Sequence, residues 1–195
     1  MKSKKGDIWI SAVLYFGLGI IVITILLTAG LPVINKLRDK NIAIQTKNAF
    51  QVLDTNVREV LKGGPGTQRV VTLELKRGEF SIDETNELVK WEFDSKAFLT
   101  EPSACTAPET INEIWVSEGN VNVCTEKAST KGSYKIIMIL DYSDVSDISG
   151  DIAAISGLGD ISIRNDGVQQ NTPEDPCTGL GSPPACKIKI SITQI

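Results

Sequence analysis

The sequence predicts an α+β chain, a long N-terminal helix followed by an antiparallel β-sandwich head. Three observations predict it. The stretch Ile8–Ile34 carries no charged residue over 27 positions. Helical spacing of apolar residues then continues until Gly63-Gly64-Pro65-Gly66. Beyond Gly66 the apolar period changes from that of a helix to two, the alternation of strands.

Four segments follow: 1–6, a basic leader; 7–34, an apolar helix; 35–62, its amphipathic continuation; and 67–195, a β-rich head. The leader, MKSKKG, supplies Lys2, Lys4 and Lys5 directly ahead of Asp7 and the apolar run. As a helix that run is roughly 40 Å long, whereas a bilayer core needs about 20 residues. A cleaved secretory signal has an apolar core of only about 7–15 residues, so the length argues for retention. Lys36, Arg38 and Lys40 flank the far end with only Asp39 as offset, leaving the positive-inside rule nearly balanced. Gly17, Gly19, Gly30 and Pro32 are weak points where a helix can kink.

In 35–62, apolar residues recur at Ile42, Ala49, Leu53, Val57 and Val60-Leu61, with Ala43, Phe50 and Val52 widening the stripe. That is one buried face of a helix. Then come Val71, Leu73 and Leu75; Phe80 and Ile82; and Val89, Trp91 and Phe93. They alternate as a meander, with a fourth strand expected near Phe98-Leu99. A short strand near 114–116 and a hairpin through Lys131-Gly132-Ser133 follow. The run Tyr134–Tyr142 is apolar on both faces and is expected at the centre of a sheet. Asn165-Asp166-Gly167 carries a hairpin signal. Ile188, Ile190 and Ile192, alternating with lysine and serine, suggest a final edge strand. Seven to nine short strands without an intervening helix favour a two-sheet sandwich of the immunoglobulin-like kind. One sheet wrapped on the helix is the alternative.

Composition removes several function classes. The 195 residues hold 20 basic and 24 acidic side chains, net −4, and no histidine. Catalytic sites and zinc sites that need histidine are therefore excluded, and no basic patch suits nucleic acid. No cofactor motif occurs, and the expectation is a protein that is not an enzyme. Gly63-Gly64-Pro65-Gly66 follows a helix instead of opening one, so it is a helix stop and not a phosphate cradle. Asp141, Asp144, Asp147, Asp151 and Asp160 lie in the Ser/Gly-rich stretch 141–160. Their oxygen-rich spacing invites calcium but fails the EF-hand register, and a solvated loop is the favoured reading. Four cysteines, Cys105, Cys124, Cys177 and Cys186, allow three pairings. Their separations favour 105–124 and 177–186. A four-thiolate zinc site is the rival, although neither pair has close C-x-x-C spacing. Disulfides would put the head in an oxidising compartment outside the cell membrane.

Lys4-Lys5-Gly6-Asp7 followed at once by the apolar helix resembles the class III signal peptide of archaeal type IV pilin-like proteins. The similarity runs on through VLYFGLGIIVITILLTAGLPVINKLRDKNIAIQTKNAFQVLDTNVREV and RVVTLELKRGEFSID, about the first 85 residues, and is loose over the head. The resemblance implies that a prepilin peptidase cuts between Gly6 and Asp7, with Lys5 as the basic residue before the cut. It implies further that the precursor sits in the membrane with its N-terminus cytoplasmic and its head outside. Identical or related pilin subunits would then join through the helix into an extracellular filament of the kind used in cell adhesion. The glutamate that bacterial pilins usually carry as fifth mature residue is replaced by Ser11, so the assembly register does not follow from it. The alternative is a single-pass membrane-anchored accessory or stator protein whose head binds an envelope component.

Overall fold

The computed structural model describes residues 5–105, 115–150, 157–168 and 187–195, with side chains from Trp9 onward. One helix, α1 (Lys5–Lys62), precedes nine strands among the described residues: β1 (Gln68–Leu75), β2 (Glu79–Asp83), β3 (Leu88–Ser95), β4 (Val116–Glu118), β5 (Val121–Lys127), β6 (Tyr134–Asp141), β7 (Ser146–Ser149), β8 (Gly157–Val168) and β9 (Ile188–Gln194). Contacts divide the chain into two compact units, residues 1–38 and 39–195. The fold is α+β, a long N-terminal helix and a β-rich head of two sheets.

The first unit is helix throughout its described part. Neither Gly17, Gly19, Gly30 nor Pro32 interrupts it. Proline costs a helix one hydrogen bond and some steric strain, which a long apolar helix can absorb.

In the second unit, α1 stops because Gly64 takes φ 80°, a left-handed conformation that glycine adopts without a Cβ penalty. The Gly63 amide closes the last turn onto the Glu59 and Val60 carbonyls. Ile42, Ala43, Phe50, Leu53, Val57 and Val60 are buried, with Ala49 and Leu61 packed against them. Val52 departs from the expected stripe and is half exposed. It lies beside the buried Leu53, and one step along a helix rotates a side chain by about 100°, off the buried face.

The sheets have strand orders β1-β8-β9-β7 and β2-β3-β6-β5-β4. Val71, Leu73, Leu75, Ile161, Ile163, Ile190 and Ile192 of the first sheet share one core with Phe80, Trp91, Phe93, Met138 and Leu140 of the second, and with the helix. β6 is central, and Ile137 and Ile139 on its other face are buried as well.

Four local expectations are corrected. The meander does not start at β1, because β1 pairs with β8 while β2 pairs with β3. The chain crosses between sheets at Lys76–Gly78, where Gly78 has φ 102° and a Cβ would meet the Trp91 indole at 2.5 Å. Phe98-Leu99 is not a strand. The Ser95 hydroxyl accepts from the Ala97 amide at 2.9 Å and donates to its carbonyl at 2.7 Å, so the backbone there bonds locally. Asn165-Asp166-Gly167 is no hairpin turn but an irregularity inside β8, opposite Ile190 and Lys189. Finally, β9 is not an edge strand: it lies between β8 and β7, and its pairing with β7 is parallel. Alternating lysines mark which face of a strand meets water, and leave both backbone edges free to pair.

Candidate membrane and assembly segment

Lys5, Gly6 and Asp7 form the start of α1. From Trp9 the helix is apolar on every side and buries almost none of it. Trp9 is 77% exposed, Phe16 74% and Leu26 66%. By length and composition this helix is able to cross a membrane, and none of its most apolar window is covered by the rest of the chain. A fully apolar helix is stable only when something else surrounds it. Its two threonine hydroxyls are already satisfied internally. The Thr24 hydroxyl donates to the Ile20 carbonyl at 2.8 Å and Thr28 to the Thr24 carbonyl at 2.9 Å. Such back-bonding removes the cost of placing a hydroxyl in an apolar medium. A Cβ at Gly17, Gly19 or Gly30 would meet nothing within 4 Å, so no packing among the described residues requires these glycines.

The second half of the helix is fastened into the head by three polar anchors that periodicity does not reveal. Asp39 is buried, accepting from Arg77 Nη1 at 3.3 Å and from the Lys96 amide at 2.7 Å. Donors from two different loops hold the Asp39 carboxylate within the head. Asp54, also buried, accepts from Arg58 Nε at 3.0 Å and Asn120 Nδ2 at 2.5 Å. The Tyr142 hydroxyl lies buried beside the Asp54 carboxylate. Burial, and then the Asp54 charge, pushes that phenol well above its usual range. At the far end, Asn165 Nδ2 donates to the Val60 carbonyl at 3.2 Å, and its backbone bonds Gly66 and Thr67. Val60 lies in the last turn, where its carbonyl has the Gly63 amide but no helical amide four residues on. The irregularity in β8 therefore caps the helix.

Cys105 and Cys124 are joined, 19 residues apart. Cys177 and Cys186 lie outside the described residues, as do Asp151 and the helical turn expected at 152–155. Of the other aspartates, Asp141 accepts from Ser143 and Asp160 from Thr72 at 2.6 Å. Among the described residues no group of three or more Cys, Asp or Glu side chains is arranged to hold a metal ion.

The profile of a family of unknown function, DUF7289, matches residues 9–126, more than half of the chain. The chain belongs to DUF7289. The DUF7289 match begins at the apolar helix and takes in both helix halves, the Asp39 and Asp54 anchors and the Cys105–Cys124 bridge. It ends in β5, so β6–β9 and the Asn165 cap lie beyond it. No curated protein and no solved structure matches the chain.

Proposed function

We propose that the chain is a structural subunit of an archaeal type IV pilus-like surface filament, held in the cell membrane as a precursor and assembled through its N-terminal helix. One observation carries this reading. A helix apolar on all sides, exposed and with its threonine hydroxyls internally bonded, runs without a break into a helix half that is locked in a folded head. Lipid in the precursor and neighbouring helices in the polymer would supply in turn the surroundings that the chain does not. Lys5-Gly6-Asp7 at the start of the helix, with its resemblance to a class III signal peptide, supports a cut before Asp7. The Cys105–Cys124 bridge supports a head outside the membrane, where disulfides persist. Identical or related subunits are the partners, prepilin peptidase the processing enzyme, and no cofactor or catalysis is involved.

Gly6→Trp tests the reading, because a peptidase that requires a small residue before the cut cannot process it. Electron microscopy of the native cells should show filaments containing this chain in the wild type and none in the variant. Filaments of the variant in normal number would refute the reading. So would a wild-type chain found only as a dispersed membrane protein, which would leave the anchored accessory module in its place.

A further inference from the structure

We infer that Lys36, Arg38 and Lys40 form a basic collar that binds the phosphate groups of anionic lipids in the leaflet where the chain leaves the membrane. The inference rests on reading α1 as the membrane span of the precursor, and adds to it a lipid class and a binding site.

The sequence offers Asp39 as the counter-charge to these three cations, and the structure withdraws it. Asp39 is buried and given to Arg77 and the Lys96 amide. Lys36, Arg38 and Lys40 are exposed and make no ion pair among the described residues. Around a helix Lys36 and Lys40 share a side, whereas Arg38 falls about 200° from Lys36. The charges thus surround the helix, as a plane of headgroups surrounds a helix passing through it. Length agrees. Lys5 and Lys36 stand roughly 46 Å apart along the helix at about 1.5 Å per residue, close to the ~40–45 Å of a bilayer with its headgroup regions. Lys36 therefore reaches phosphate level while the apolar run before it fills the hydrocarbon. Long lysine and arginine side chains next to a span are attracted to anionic lipid, and lose that attraction with added salt.

The test uses the full chain reconstituted in phosphatidylcholine vesicles containing a trace of spin-labelled phosphatidylglycerol or spin-labelled phosphatidylcholine. The motionally restricted fraction of each lipid gives their relative association with the protein. The wild type should prefer the anionic lipid by about fivefold or more at low salt, and 10 mM inorganic phosphate should not displace it. The triple variant Lys36→Gln, Arg38→Gln, Lys40→Gln should lose most of that preference, whereas Lys36→Arg, Lys40→Arg should keep it. Asp39→Asn should change it less than about twofold, because the carboxylate already serves the head. No wild-type preference, or a preference that survives the triple variant, would overturn the inference. A severalfold rise on Asp39→Asn would overturn it too, by showing that Asp39 neutralises the collar. A chain that fails to float with the vesicles at all would instead refute the membrane-span reading beneath it.

Discussion

Residues 9–37 and 42–60 belong to the same helix and obey opposite rules. The first stretch presents Leu, Ile and Val on every side and covers almost none of them; the second buries one face completely. At its head end the helix carries two buried aspartates with partners brought by the head: Arg77 and the Lys96 amide for Asp39, Asn120 for Asp54. In the first stretch, the threonines turn back on their own helix and need nothing from outside. The difference separates helix that is stable through its own chain from helix whose stability must come from another medium. Hydrophobic burial is the dominant favourable term in folding, so a segment without it is specified for a setting other than water.

The strongest way to break this comparison is to truncate one apolar side chain in each stretch. Phe50→Ala removes a buried ring packed edge-on to Phe80, with centroids 5.9 Å apart. It should cost the head about 3–5 kcal/mol by denaturant unfolding of the detergent-solubilised chain. Leu26→Ala should leave the same unfolding curve within about 0.5 kcal/mol, because its side chain is 66% exposed. Equal losses in the two variants would mean that the apolar stretch is part of the folded core.

A smaller effect probes the polar interior of the second stretch. Tyr142 stays neutral in the folded head well beyond the usual phenol range, whereas the unfolded chain releases that proton near pH 10. Above about pH 10 the folded state thus binds more protons than the unfolded state, and stability falls as pH rises. The slope contributed by this group is at most about 1.4 kcal/mol per pH unit. Tyr142→Phe should flatten the fall between pH 10 and 11, because it removes the group whose proton the folded head retains. Parallel curves for the two proteins would place Tyr142 in contact with water.

Much of this was readable in the sequence, because the two periodicities are carried by side chains that either meet a core or do not. The extent of α1, its buried face at Leu53, Val57 and Val60 and the central place of β6 follow from spacing, which also favours the 105–124 bridge among three possible pairings. Alternation fails where two arrangements produce the same pattern. β1 and β2 alternate identically whether they pair with each other or feed opposite sheets, and β9 alternates identically at an edge or inside a sheet. Asn165-Asp166-Gly167 carries the chemistry of a turn, and only the nearby helix end reveals that it serves as a cap. Asp39 and Asp54 look like ordinary solvated charges until the loops that bind them are placed. Each neighbours apolar positions of the stripe, Asp54 next to Leu53, and that was the one available signal.

The central claim is that residues 7–38 are a processed segment whose apolar surface is covered by other subunits in a filament. The most direct measurement is intact-mass and N-terminal analysis of the chain recovered from filaments sheared off native cells. The claim predicts a subunit that begins at Asp7 and retains the whole apolar helix. A chain absent from the sheared fraction and found in the membrane with Met1 to Gly6 still attached would contradict it.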